Sequence, residues 1–274
     1  MRKFTFLTPN SLSEALFLLR EHAGRIKPIA GGTDLMVELR GGDEKLDSMD
    51  YALDLTALPE LRAITLENGL VSIGAMATHD NVAHSPVIRS AAAMLAEASA
   101  SVGAQQIRNA ATIGGNVCNA AVAADTLSPL AALDAHVTLL SVSGARELPL
   151  SEFILGAGKT ALQPDELLTK ISFIPLTGWL SRFVKLGRRK ALAISRMNAS
   201  VALRFGHGAI AEARVSPGCV FASPRRVASA EAMLIGQVPS VTLFEACGKA
   251  VSDEMVAVTG VRWSTEYKFP ALSA

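Results

Sequence analysis

Aromatic residues are scarce in this chain: two Trp, two Tyr and ten Phe, 5% of 274 residues. Half the residues are nevertheless hydrophobic, and the surplus is Ala, Val, Leu and Ile. This composition excludes the disordered class and suits a core of small aliphatics, or surface buried against other subunits. An excess of one charge is missing too, with 26 basic against 25 acidic residues and a formal net charge of +1. No basic arm is present, so nothing favours nucleic acid. The three cysteines, Cys118, Cys219 and Cys247, form no C-x-x-C pair. That argues against zinc or a four-cysteine iron–sulfur site within the chain, and the sparse, odd set fits a reducing compartment. Met1-Arg2-Lys3-Phe4-Thr5-Phe6 has no long apolar run behind its charges, and Pro9-Asn10 follows, so no signal peptide is expected. The apolar stretch from Ala91 to Ala104 carries Glu97 and is too short for a membrane span. A cytoplasmic protein is the expectation.

Several catalytic and nucleotide-binding patterns are also absent. There is no G-x-G-x-x-G after a strand, which removes the Rossmann fingerprint, and no G-x-x-x-x-G-K-[ST] P-loop. H-E-x-x-H and G-x-S-x-G are missing. The histidines (His22, His79, His84, His136 and His207) are scattered, and surface or capping roles outweigh a metal role.

Short strand-like and longer helix-like segments alternate. Phe4 to Leu7 reads as a strand. Ser11 with Glu14 reads as a capping box opening a helix that His22-Ala23-Gly24 ends. Ile26 to Ala30 is a strand, followed by a helix from Asp34 to about Leu39, and Tyr51 to Leu55 is a further strand. Asn68-Gly69 between Leu61–Leu66 and Leu70–Gly74 signals a hairpin. Helices are expected over His79–His84, Val87–Ala100 and Thr126–Ala135, with 102–111 irregular. Val137–Val142 and Leu167–Ile174 read as strands, and Pro149–Phe153 as a turn. Pro175 and Gly178 mark a boundary. Beyond it, strands are expected at Arg182–Lys185, Val201–Phe205 and Ala211–Val215, and helices at Ala228–Leu234 and Leu243–Val251. The class is α+β.

Two glycine pairs stand out. Ala30-Gly31-Gly32-Thr33-Asp34 lies between a strand and a helix. Paired glycines open backbone torsions closed to other residues and let a ligand approach the main chain. Their N–H groups, with a helix N-terminus behind them, suit an anion, although an ordinary strand–helix turn has the same sequence. Thr112-Ile113-Gly114-Gly115-Asn116 repeats this chemistry, and Asp125 follows nine residues later. Asp125 could accept bonds from ribose hydroxyls or cap the next helix. Two such loops suit a dinucleotide better than either does alone. Lys185-Leu186-Gly187-Arg188-Arg189-Lys190 is a short basic run, either a solvated turn or a phosphate or cofactor contact.

With these segments in order, the chain resembles the FAD-binding medium subunit of the molybdenum hydroxylases, the group of bacterial xanthine, nicotinate and carbon monoxide dehydrogenases. The resemblance is carried by Ile29 to Leu35 and by Gln105-Gln106-Ile107-Arg108-Asn109-Ala110-Ala111 running into Thr112–Asn116. Asp165-Glu166-Leu167-Leu168 and Lys185 to Ser195 support it. It implies a p-cresol-methylhydroxylase-type FAD-binding fold of two α/β subdomains, about 1–57 and 58–176, within an FAD-binding domain 1–176. A small C-terminal α+β domain, 177–274, would follow. It further implies FAD contacts at Pro28, Ile29, Ala30, Gly31, Gly32, Thr33, Asp34 and Leu35, at Thr112, Ile113, Gly114, Gly115 and Asn116, and at Asp125, Leu168 and Lys185. The glycine loops would hold the pyrophosphate and Asp125 would face the ribose or adenosine part. Leu168 and Lys185 would lie near the isoalloxazine, where a cation stabilises negative charge on the reduced ring. Val102 aligns with an aromatic of the mammalian xanthine oxidoreductases; an aliphatic there can pack on a ring but not stack. The cysteine-bearing insertion of the 4-hydroxybenzoyl-CoA reductase branch is absent, which argues against an extra cluster.

The function so implied is an oxidoreductase subunit that relays electrons. A large molybdopterin-binding subunit would oxidise the substrate. Electrons would pass through [2Fe–2S] clusters of a small subunit to this FAD, then to NAD or another acceptor. A free-standing FAD-dependent oxidoreductase of the same fold is the alternative, but no paired catalytic set is found to bind substrate over a flavin. A non-catalytic paralogue is the third reading, against which the intact glycine loops speak.

Overall fold

The computed structural model describes residues 4–42 and 46–274, so Met1-Arg2-Lys3 lies outside the described residues. Three sheets of three or more strands organise the described residues, and their apolar clusters share residues across sheets.

The first is built from β1 (Thr5–Leu7), α1 (Leu12–Glu21), β2 (Ile26–Ile29), α2 (Leu35–Gly41) and β3 (Tyr51–Asp54). All its pairings are parallel and β3 is central, in the order β1-β3-β2. Parallel neighbours need crossovers, and the two short helices supply them. Ser11 Oγ accepts the Glu14 N–H at 3.2 Å, as a cap should. Glu14 does not complete the expected box: its carboxylate takes the Asn10 N–H at 2.7 Å, one residue further back. Ala15, Leu16 and Leu19 turn inward onto Ile26 and Leu53.

The second sheet is antiparallel, in the order β4-β5-β10-β6-β7. It contains β4 (Ile64–Glu67), β5 (Leu70–Gly74), β6 (His136–Ser141), β7 (Gly144–Pro149) and β10 (Leu167–Phe173). Asn68 and Gly69 both adopt positive φ, 51° and 75°, and close the β4–β5 hairpin tightly. Between β5 and β6 the chain makes six helices: α3 (His79–His84), α4 (Pro86–Ala91), α5 (Ala93–Ala100), α6 (Gln105–Ala110), α7 (Ile113–Asn119) and α8 (Leu127–Ala132). After β7 come a helical turn, α9 (Leu150–Phe153), and the ribbon of β8 (Ile154–Gly156) and β9 (Lys159–Thr160). The expected helix over Val87–Ala100 is broken at Ala92, with φ −159° and ψ 66°. Neither Gly nor Pro causes the break; the Leu176 N–H takes the Ala91 carbonyl, and the Met94 N–H turns to Ser181 Oγ. The 102–111 stretch, expected to be irregular, contains α6.

The third sheet is a meander of β11 (Leu180–Gly187), β12 (Ser195–Gly206) and β13 (Ala209–Gly218). Helices α10 (Ala228–Leu234), α11 (Val241–Thr259) and α12 (Thr265–Ser273) pack on it through Val227, Leu234, Cys247, Val251 and Met255. Helix α12, which carries Pro270 internally, has no counterpart among the expected elements. On β11 the residues alternate: Phe183 packs against the second core, whereas Leu180 and Val184 are 70% and 66% exposed. Glu97 of α5 accepts the outward-pointing Phe183 N–H at 2.8 Å.

His79 is fully buried at the start of α3, with no partner for either ring nitrogen among the described residues. Burial, and then the nearby Arg108 charge, lower its pKa to about 4. Its folded pKa thus lies below the unfolded value of about 6.5, so the unfolded chain binds more protons between those pH values. The resulting stability is present above pH ~6.5 and is lost as pH falls toward 4, by at most about 3 kcal/mol. His79→Leu should flatten this part of the stability–pH curve. Urea unfolding of both proteins at pH 7 and pH 5 checks this; parallel losses would refute it.

Candidate functional site

The site starts where β2 runs out. Gly31 has no room for a side chain: a Cβ there would stand 2.0 Å from the Ala110 carbonyl oxygen and 2.8 Å from Ala111 Cα. Its bareness therefore brings the first glycine segment main chain to main chain against the segment leading into the second. Gly32 is different. Its φ is +68°, and an added Cβ would meet only ordinary contacts, with Met36 at 3.6 Å and Ile29 at 3.7 Å. Only its torsion demands glycine.

The backbone N–H groups from Gly31 to Leu35 are taken up by no other described group, whereas Met36 and Glu38 already bond back to Gly32 and Asp34. The Asp34 side chain makes no capping bond. A row of consecutive unengaged donors in a half-buried turn can receive an anion with several oxygens. Helix α2 behind it has only seven residues, so the amides themselves outweigh any helix dipole.

The second glycine pair is not a loop. Thr112 is the N-cap of α7, its Oγ1 accepting the Gly115 N–H at 3.0 Å, and Gly114 and Gly115 lie in the first turn. The expected row of free amides is absent here. Ile113 donates to Ala77 O, Gly114 to Ala75 O and Asn116 to Thr112 O. A Cβ on Gly114 would press to 2.6 Å on Ala75. This glycine lets a helix lie directly on the chain leaving β5. The two segments do face each other, since a Cβ on Gly115 would stand 3.9 Å from Ala30 Cβ. An anion held by the first would therefore lie beside the second.

From Asn116 the contacts continue. Thr126 Oγ1 donates to Asn116 Oδ1 at 2.5 Å, which fixes the residue next to Asp125. Asp125 is buried and does not cap α8, whose N-cap Thr126 makes no side-chain capping bond to the helix. Its carboxylate instead meets Lys185, with Nζ 2.5 Å from Oδ2. The two form one unit. Lys185 also donates to Ser101 O at 3.1 Å, beside Val102. Arg108, to which the sequence assigned no role of its own, holds that stretch by bonds to Val102 O and Gly103 O at 3.0 and 3.1 Å.

Leu168 is buried in the second core where β10 carries a bulge. Glu166 anchors the start of that strand through Arg146, at 2.6 Å, and the Gln163 N–H at 2.9 Å. The hydrogen bond from Arg146 pulls the Glu166 pKa down. Pro28 and Ile29 belong to β2 and lead into the glycine turn.

In the basic run, Arg189 folds back onto the Ala191 and Leu192 carbonyls, and Arg188 and Lys190 are exposed; Lys185 alone joins the site. Burial raises the Cys118 and Cys219 thiols to about 12, so neither supplies a thiolate. A separate groove of about 400 Å³ lies between Asp134, His136 and Arg225–Arg226. Its arginines are already paired, Arg226 with Asp134 and Glu231, and Arg225 with Glu254. No helix among the described residues is long and apolar enough to cross a membrane.

Comparison with known proteins defines the class. Residues 2–177 match the model for the FAD binding domain in molybdopterin dehydrogenase, and residues 182–271 that for the CO dehydrogenase flavoprotein C-terminal domain. The nicotinate dehydrogenase FAD-subunit of Eubacterium barkeri is 35% identical, over 98% of this chain and 92% of its own. The xanthine dehydrogenase FAD-binding subunit of Escherichia coli O157:H7 is 31% identical, over 94% and 88%. Among solved structures, a carbon monoxide dehydrogenase chain from Hydrogenophaga pseudoflava superposes with a TM-score of 0.90 at 26% identity, covering 99% of this chain and 94% of that one. The chain therefore belongs to the FAD-binding medium subunits of the molybdenum hydroxylase family, and is an oxidoreductase subunit of α+β fold.

The two glycines of the first pair should respond differently to alanine. Gly31→Ala forces a methyl into the Ala110 carbonyl and should cost about 1–3 kcal/mol of stability. Gly32→Ala meets only torsional strain, about 1 kcal/mol. Denaturant unfolding of the FAD-free proteins measures both; equal losses would mean that close approach is not what Gly31 provides.

Proposed function

We propose that this chain is the electron relay of a multi-subunit molybdenum hydroxylase, standing between an iron–sulfur chain and the final acceptor. The observation that carries this reading is the row of unengaged N–H groups from Gly31 to Leu35, set against α7 and continued to the Asp125–Lys185 pair. Those donors fit a pyrophosphate. Thr33 adds a hydroxyl, and Pro28, Ile29 and Ala30 lead the strand to the phosphates. On this reading, Asp34 and Leu35 close the far side of the turn. Thr112, Ile113, Gly114, Gly115 and Asn116 contribute a bare helix surface and the Asn116 side chain, since the amides from Ile113 to Asn116 are spent within the fold. Val102 and Leu168 offer apolar contact, and Lys185, partnered by Asp125, offers a nearby cation. The division into an FAD-binding part, 1–176, and a C-terminal part, 177–274, belongs to the same reading.

Bound FAD supplies a centre that can exchange electrons singly with a metal cluster and in pairs with a nicotinamide. This chain would hold it, screen it from water and fix the charge beside it. No described constellation over the site is equipped to act on a substrate, so substrate oxidation is assigned to a large molybdopterin-binding subunit. A small subunit with [2Fe–2S] clusters would deliver the electrons, and NAD or another acceptor would remove them. Relatives named for nicotinate, xanthine and carbon monoxide support the shared scaffold while differing in substrate. Selectivity is accordingly placed in the partner.

The test uses the complex purified with its partners. Gly32→Val should empty the chain of FAD, because a β-branched residue resists positive φ. The flavin-free complex should still be reduced by its substrate at the clusters, yet lose acceptor reduction. Acceptor reduction at the wild-type rate without flavin would reject the relay. Full FAD content in the variant would instead reject the placement of the site.

A further inference from the structure

Asp125 comes from the segment between α7 and α8, yet every side chain gripping its carboxylate comes from the third sheet. Lys185 takes Oδ2, Ser195 Oγ donates to Oδ1 at 2.5 Å, and Asn198 Nδ2 approaches Oδ1 at 3.5 Å. The seam continues through Ser128, whose hydroxyl donates to Asn198 Oδ1 at 2.7 Å and pairs with Ser200 at 3.0 Å. Gly218 leaves the space for this: a Cβ there would lie 2.0 Å from Asn198 Oδ1.

Ser195 should not be able to join the seam. Along a strand, side chains alternate, so Asn198 and Ser200 share a face and Ser195 belongs to the other. A bulge changes this. Leu186 pairs with Met197 while Gly187 pairs with Ser195, which leaves Arg196 as the extra residue of β12. A bulge of this kind re-aims the side chains beyond it. Here it turns Ser195 onto the Asp125 carboxylate, where it is buried.

A buried ion pair is worth having only when its remaining lone pairs are satisfied. Without Ser195, Oδ1 would keep only the long Asn198 contact, and the carboxylate could turn about its own bond. The lysine ammonium, a point charge on a flexible stem, would then lose its fixed seat between Asp125 and Ser101 O.

We infer that Ser195, with Asn198 behind it, is a positioning residue of the flavin site: through Asp125 it fixes where the Lys185 charge sits. The inference rests on the reading that Lys185 lies against the flavin.

The experiment compares Ser195→Ala, Ser195→Thr, Lys185→Gln and the double variant Ser195→Ala/Lys185→Gln in the FAD-loaded complex. The readouts are the FAD dissociation constant, the flavin midpoint potential and the melting temperature. Ser195→Ala should raise the dissociation constant roughly three- to tenfold, the size expected for one lost hydrogen bond. It should also move the potential in the same negative direction as Lys185→Gln, and Ser195→Thr should restore both. The double variant should match Lys185→Gln alone, because Ser195 acts through the lysine. Ser195→Ala with wild-type affinity and potential, or additive effects in the double variant, would overturn the inference. So would a changed melting temperature alone, which marks a purely structural serine. If Lys185→Gln itself leaves affinity and potential untouched, the flavin-contact reading falls first and the inference with it.

Discussion

The close approach of bare main chain to main chain is the constraint on which the rest depends. At Gly31 the chain leaving β2 lies on the Ala110–Ala111 backbone, and at Gly114 helix α7 lies on Ala75. Neither contact would admit even a methyl group. Together they join the parallel sheet to the helical layer of the antiparallel one, with the free amides at the junction. The glycine pairs thus divide their work. One member of each allows segments to meet, and Gly32 alone supplies the unusual torsion that leaves a row of donors pointing away from the fold.

The second join is polar. Asp125 belongs to the helical layer and its partners to the third sheet, so a single carboxylate ties the meander to the site. Further out, Arg214 and Arg226 meet Asp134, and Arg214 also donates to Ala132 O. Apolar contacts cross between the sheets as well, Ala202 and Phe183 of the third joining the core of the second. The placement of Lys185 therefore depends on the third sheet as much as on the residues nearest the glycines.

What could be read from the sequence was local. Asn68-Gly69 specifies its hairpin through two torsions in adjacent residues, and Ser11 caps its helix through a bond three residues long. The glycine pairs could be picked out, and Asp125 and Lys185 could be named by resemblance. Contact between those two could not, because it joins distant segments. Nor could Thr112–Asn116 be told from a loop. Glycines weaken the helical signal, and α7 is held by Ala75, Ala77 and the Thr112 cap. Helix α6 has Ile107 as its only large apolar side chain and shows no periodicity. Ser195 ended a motif segment but received no role, since the strand was expected only from Val201 and a bulge is visible only once the partner strand is known.

Glu97 gains a different meaning in the fold. In the sequence it was the lone charge in an apolar stretch. In the structure it sits against the open edge of β11, where Leu180 and Val184 face solvent and unpaired backbone groups could accept a foreign strand. By occupying the Phe183 N–H and lying close to Arg182, its carboxylate spoils the ladder an incoming chain would need. One acidic residue thus occupies a backbone donor on an edge strand, and does so from a helix that precedes the sheet.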